Sequence, residues 1–224
     1  LKVLVSERAN IPNGFIKALK KLGHQSLLWR NGVSIFNIFD QISPDLIIAC
    51  KGDRTPGFNR LIKQEEVIVW DNDLIAAFDD ELNPIKDSKF SSDIVCMDYY
   101  DKTLDCLSKT DFPYSFKVFN VPDWNSPHNL GSLDEETKIK IISNTKILID
   151  CNQEEVSEVI FIASGFGVHV LTNNVNSPFG SFYKDEMGLL NLIEEKIQKP
   201  LDKIPDMSMN TYIDRVNLLL DNIR

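Results

Sequence analysis

The stretch Ser143-Asn144-Thr145-Lys146-Ile147-Leu148-Ile149-Asp150, read on to Gly165-Phe166-Gly167-Val168-His169-Val170-Leu171-Thr172-Asn173-Asn174, decides the fold class. Residues 146–149 form an apolar run of strand length, 154–163 have helical spacing, a glycine pair stops the helix, and 168–171 form a second apolar run. Strand, helix, glycine turn and strand in that order are one βαβ crossover, which predicts two parallel strands.

The same rhythm extends in both directions. Upstream, strands are predicted at 94–97 and 116–119, with helices at 99–107 and 133–142. The second of these opens on Ser132 and on Asp134-Glu135-Glu136, acidic residues that favour a helix amino end. Downstream, 186–196 and 209–223 read as helices. The first ninety residues repeat the alternation, with strands at 2–6, 25–29, 45–50 and 67–70 and helices at 11–22, 35–42 and 58–64. Between the halves, residues 78–92 are polar and read as a linker. The expectation is an α/β protein of two Rossmann-like parallel-sheet lobes facing a cleft, with domains at 1–85 and 86–224, the last helix included in the second. Ligands of such sheets bind beyond the carboxyl ends of the strands, so each strand exit is a candidate site.

Composition narrows the function. The chain has 224 residues, 43% hydrophobic and 25% charged, ordinary values for a globular protein. No apolar run approaches the roughly 20 residues that span a bilayer, and no basic-then-apolar leader is evident, so a cytoplasmic protein is expected. A net charge of −9 argues against a duplex nucleic-acid partner, which needs a basic face. The four cysteines, Cys50, Cys96, Cys106 and Cys151, include no CxxC pair and read as buried free thiols. With His24, His128 and His169 they form no zinc spacing, and no metal site is expected from them.

The strand exits supply the candidate residues. After the first strand, Arg8 can pair with phosphate or carboxylate, and Asn13-Gly14 before a helix can present backbone N–H groups to an anion. After the third come Lys51 and Arg54. After the fourth comes Trp70-Asp71-Asn72-Asp73, where Asp71 and Asp73 either hold a divalent cation or belong to an Asp/Asn-rich turn. The amino end of the 154–163 helix, with Ser157 and Glu158, suits a ribose or diphosphate. Thr172 and Asn173 offer hydrogen-bonding side chains at the last strand exit.

A family resemblance rests on residues 118–124 with Trp124, Gly131, Asn144-Thr145-Lys146-Ile147-Leu148, Ala163-Ser164-Gly165, Leu171-Thr172 and Thr211-Tyr212-Ile213-Asp214-Arg215. The amino half adds Asn13-Gly14-Phe15, Leu22-Gly23-His24, Pro44-Asp45-Leu46-Ile47 and Trp70 to Asp73. In order and spacing from about Asp93 to the end, and more loosely in the amino half, the chain resembles the GT-B glycosyltransferases, and within them the CgeB-like, spore-maturation-protein group, with a shortened amino lobe. The resemblance implies a nucleotide-diphosphate sugar held by the carboxyl lobe and an acceptor held by the amino lobe. It also implies that no cofactor is tightly bound and that a divalent metal, although compatible with Asp71 and Asp73, is not favoured. Trp124, Ser157, Glu158, Gly165, Thr172 and Asn173, with Arg8, Asn13, Gly14 and Lys51, would bind the substrates. Arg54 would stabilise the leaving group, and Asp71 or Asp73 would contact the acceptor or act as general base. The chain departs from the pattern at one position: the family's ribose-binding glutamate, three residues before the A-x-G, is Ile160 here.

Overall fold

The structure is a computed structural model that describes residues 1–6, 13–30, 34–50, 67–70, 77–79, 81–109, 111–122, 124–153, 156–201, 204–207 and 210–221, without the side chains of 35, 36, 40, 50 and 67–70. The chain divides into two compact units, Leu1–Ala77 with Met209–Arg224, and Phe78–Ser208.

The first unit holds β1 (Lys2–Ser6), α1 (Asn13–Lys21), β2 (Gln25–Trp29), α2 (Ile35–Ile42), β3 (Leu46–Cys50) and β4 (Val67–Trp70). The four strands are parallel in the order β2-β1-β3-β4. Side chains alternate across a strand, and here both faces are apolar. Val3, Val5, Leu46 and Ile48 pack with Phe15, Ala18 and Leu19 of α1, while Leu4, Ile47 and Ala49 pack with Trp29 and with Ile38 and Phe39 of α2. This double burial is why the strands read as continuous apolar runs.

The second unit holds β5 (Ser92–Met97), a 3-10 helix Lys102–Ser108, β6 (Phe116–Phe119), α3 (Glu135–Ser143), β7 (Thr145–Asp150), α4 (Glu158–Gly165), β8 (His169–Thr172), β9 (Ser181–Phe182) and α5 (Glu186–Lys196). Its parallel order is β6-β5-β7-β8-β9. One face carries Ile94, Cys96, Ile147 and Ile149 against the 3-10 helix and α5. The other carries Val95, Met97, Leu148 and Val170 against α3 and α4. The α3 cap is Asp134, whose Oδ1 accepts the Thr137 N–H at 2.8 Å, with Glu135 and Glu136 in the first turn.

Four features differ from the sequence expectation. The final helix, α6 (Tyr212–Asp221), belongs with the first unit and not the second: Tyr212, Val216 and Leu219 complete the cluster around Phe15 and Leu19. Residues 78–92 are integral to the second unit. Ile85 donates its N–H to Ser143 Oγ at 3.0 Å, and Asp87 donates its N–H to Asn144 Oδ1 at 2.9 Å. The helix expected over 154–163 starts only at Glu158, because Ser157 is its cap. The helix expected over 99–107 is a 3-10 helix that begins after Asp101, whose side chain accepts the Thr103 N–H. Among the described residues, no helix is long and apolar enough to cross a membrane.

Candidate functional site

In the second unit the chain leaves β5 for β6 on one side and returns past it to β7 on the other. The crevice at such a reversal, beyond the carboxyl ends of β5 and β7, is where open parallel sheets bind ligands. Asp98, Tyr99, Tyr100 and Asp101 leave β5 there, and Cys151, Asn152 and Gln153 leave β7. Gln153 Nε2 approaches Asp101 Oδ2 at 3.4 Å, across the two exits. Asp98 and Asn120 both hold left-handed backbone, at φ 70° and 61°, a conformation that short polar side chains tolerate. They are linked by Asn120 Nδ2 donating to Asp98 Oδ1 at 2.8 Å.

Asp150 closes β7 and is fully buried. Its Oδ2 accepts the Thr172 hydroxyl at 3.0 Å, and the Thr172 Oγ1 in turn accepts the Asn174 N–H at 3.0 Å. Burial pushes the Asp150 carboxyl up to about 6. The Thr172 hydroxyl and the Asn152 backbone amide oppose that shift, and the Asp98 charge adds to it. On the same edge, Cys96 and Cys151 bring their Sγ atoms to 3.9 Å, and Tyr183 Oη lies 3.4 Å from Cys151 Sγ. Burial holds the Tyr183 hydroxyl far above its ordinary range. The sequence reading placed Cys96 and Cys151 as buried free thiols, as they are, but not at this edge, and it did not pick out Asp150 or Tyr183. The only available signal was a carboxylate ending an apolar strand.

Of the expected residues, Trp124, Ser157, Glu158, Thr172 and Asn173 fall on this carboxyl side of the sheet. Trp124 is half-buried, stacked on Tyr100 with ring centroids 5.3 Å apart and edge-on to Phe116. The Ser157 hydroxyl accepts the Val159 N–H at 3.4 Å as the α4 cap, and Glu158 lies 3.8 Å from the ammonium of Lys138 on α3. Thr172 is buried and engaged with Asp150, so it locks two strand ends together. Asn173 is half-buried, and its Oδ1 is a buried oxygen with no hydrogen bond among the described residues.

Gly165 ends α4 at the far side of the sheet. A Cβ there would lie 2.5 Å from the Phe78 ring, so packing accounts for this glycine. Gly14 has the same explanation, since a Cβ would enter the Tyr212 ring. Asn13 is the exposed first residue of α1. Ile160, the residue at which the sequence departs from the resemblance, is fully buried against α3 and the sheet. Arg8, Lys51, Arg54, Asp71 and Asp73 lie outside the described residues. Among those described, no cluster of three or more His, Cys, Asp or Glu could hold a metal ion.

No protein-family profile matches the chain, and no curated protein matches it. Solved structures do match. A structure from Listeria monocytogenes, assigned as a UDP-N-acetylglucosamine 2-epimerase, aligns over 99% of this chain and 95% of its own at 12% identity, with a TM-score of 0.53. The fold is GT-B-like. Two further matches score lower. The UDP-GlcNAc 2-epimerase of Methanocaldococcus jannaschii aligns over 98% of this chain and 99% of its own, at 10% identity and TM-score 0.49. The glycosyltransferase SnogD of Streptomyces nogalater aligns over 98% of each chain, at 8% identity and TM-score 0.43. At these identities the likeness extends to the GT-B-like architecture of parallel sheets covered by helices, and no further.

Proposed function

We propose that the chain is a glycosyltransferase of the GT-B type, in the CgeB-like group, acting in the cytoplasm on a nucleotide-diphosphate sugar. A fold hosts many reactions, so the observation that carries this reading is the carboxyl edge of the second sheet. Aromatic Tyr100 and Trp124 stack there, and Asn173 and the capped amino end of α4 follow the neighbouring strands on the same carboxyl side of the sheet. The stacked rings offer an apolar platform beside hydrogen-bonding groups, the mixture that holds a nucleotide. An amino helix end and the cations Arg8, Lys51 and Arg54 would stabilise the departing diphosphate. Asp71 or Asp73 would position the acceptor or take its proton. In this reading the donor belongs to the second unit and the acceptor to the first. No metal is required in this reading, because basic side chains and amide dipoles would neutralise the leaving group.

Thermal melting with a panel of UDP, GDP, ADP and TDP sugars tests binding, and donor hydrolysis tests turnover. At least one nucleotide sugar is expected to raise Tm, with hydrolysis unaffected by EDTA. Arg54→Ala and Asp73→Ala are expected to lower activity at unchanged stability. If no nucleotide shifts the melt, the reading fails; if EDTA abolishes turnover, Asp71 and Asp73 hold a metal. A second reading, a nucleotide binder without transfer chemistry, is favoured by Ile160, whose buried apolar side chain stands where the family places a ribose ligand. A Tm shift with no turnover on any donor selects it.

A further inference from the structure

Cys96 lies on β5 and Cys151 directly after β7, its neighbour in the sheet. Cys96 is in register with Ile149, so Cys151, two residues on, projects to the same face. Both thiols enter the cluster between the sheet, the 3-10 helix and α5, with 3.9 Å between the sulfurs. Cys96 Sγ donates to the Tyr99 carbonyl at 3.3 Å. Cys106, also buried, instead donates to the Thr103 carbonyl at 3.0 Å. Chance burial of small apolar thiols accounts for Cys106. It does not account for two sulfurs in contact at the strand reversal, one residue from Asp150.

We propose that Cys96 and Cys151 form a reversible disulfide under peroxide, joining β5 to β7 at the carboxyl edge of the second unit. Cys151 is the better entry point, at 6% exposure against 0% for Cys96. Its thiolate attacks one peroxide oxygen. A sulfur–oxygen bond forms, the oxygen–oxygen bond breaks and hydroxide leaves, giving a sulfenic acid. The Cys96 thiolate then attacks that sulfur. The disulfide bond forms, the sulfur–oxygen bond breaks, and the oxygen leaves as water after protonation. Two thiols and one peroxide give one disulfide and two waters, with two electrons passing from sulfur to oxygen. A small dithiol reverses the step by exchange and is itself oxidised. The contact with Cys151 and burial hold the Cys96 thiol well above its ordinary range, so oxidation proceeds slowly at neutral pH and faster under alkaline conditions.

The cross-link has a structural consequence. A disulfide draws the sulfurs from 3.9 Å to about 2 Å, so Cys151 shifts toward β5 and its contact with Tyr183 is lost. Asp150 and Thr172, adjacent in the same network, are displaced with it. The edge on which a donor is proposed to bind would thereby respond to oxidation; this part alone rests on the transferase reading.

The chain is treated with hydrogen peroxide, unfolded, and its remaining thiols alkylated, and intact mass and a non-reducing peptide map are recorded beside a melting curve of the folded sample. An intact mass about 2 Da below the reduced chain before alkylation, two fewer alkyl groups after alkylation under denaturing conditions, one linked peptide pair containing Cys96 and Cys151, and full reversal by dithiothreitol are expected. Cys96→Ser is expected to show no such loss and to accumulate an added oxygen. The proposal is overturned if wild type treated with peroxide while folded keeps both thiols alkylatable once it is unfolded, or if the linked pair involves another cysteine. Wild type compared with and without dithiothreitol carries the test should the serine variant not fold. A nucleotide-sugar Tm shift that is equal in both redox states removes the coupling to the site while leaving the disulfide standing.

Discussion

The two units share a strand order over their first four strands, second-first-third-fourth, but they are assembled from different parts of the chain. The second unit is one continuous segment, Phe78–Ser208, whereas the first needs both Leu1–Ala77 and Met209–Arg224. The first unit therefore depends on a distant helix for part of its core, and the second is complete in itself. Buried apolar area dominates stability, so this difference in assembly is also a difference in fragility.

The largest effect is expected from removing residues 209–224. Tyr212, Val216 and Leu219 are each at least 95% buried in the first unit. At about 1.5–3 kcal/mol per buried side chain, their loss approaches the whole stability of a small domain, about 5–15 kcal/mol. Hydrogen exchange resolved by peptide is expected to show lost protection in β1, β3 and α1, and retained protection in β5, β7 and β8. Equal loss in both units would refute the division. A smaller break of the same kind is Gly14→Val. Its branched side chain would occupy the space of the Tyr212 ring, and overpacking of that kind destabilises by about 1–3 kcal/mol. Chemical denaturation should lower the first unit's midpoint and leave the second unit's unchanged.

The same contrast explains what the sequence could disclose. The strands at 2–6, 25–29, 67–70 and 116–119 are where the apolar runs place them. For the central β1 the cause is cover on both faces, which leaves a continuous apolar signature, whereas the edge strand β2 keeps Leu27 and Leu28 exposed. β9, two residues long with Phe182 half-exposed, has too little burial to leave one. The partner of the last helix was hidden as well: Tyr212, Val216 and Leu219 mark a buried face, but no local pattern names the surface that covers it. At the site, Asn173 and Ser157 were legible from their place at strand and helix ends. Asp150, Cys96 and Tyr183 were not, because their significance comes from neighbours on other strands, a non-local fact. Gly14 and Gly165 could be read as ligand-facing only while the Tyr212 and Phe78 rings were out of view.

Within the second unit, Asp150→Asn isolates the buried network. The Asp150 carboxyl is raised to about 6, so between roughly pH 4 and 6 the folded chain binds more protons than the unfolded one. Stability from this group therefore falls as pH rises through that window and is lowest above it. Asparagine keeps an acceptor for the Thr172 hydroxyl without the charge. The substitution is expected to raise stability at pH 7 by about 1–3 kcal/mol and to flatten this part of the pH profile, as read by urea denaturation at a series of pH values. A loss of stability at pH 7 would mean that the carboxylate is satisfied in its charged form.

The smallest effect, and of opposite sign in pH, belongs to the amino end of the same sheet. Lys146 on β7 pairs with Asp93 on β5 at 2.7 Å, with side chains 54% and 25% exposed. Burial would raise the Asp93 carboxyl, but the bonds from Lys146 and from the Ser115 backbone and hydroxyl outweigh it and hold it below the ordinary value. Its contribution is thus present above the unfolded-state value and lost as pH falls through the lowered one, in the acid range where Asp150 has already become favourable. Solvent screening limits such a pair to about 0–1 kcal/mol. Lys146→Ala should therefore cost little at low salt and less at high salt, with no change near pH 6. A salt-independent cost above about 2 kcal/mol would show that packing of the lysine stem, not its charge, joins β5 to β7 at that end.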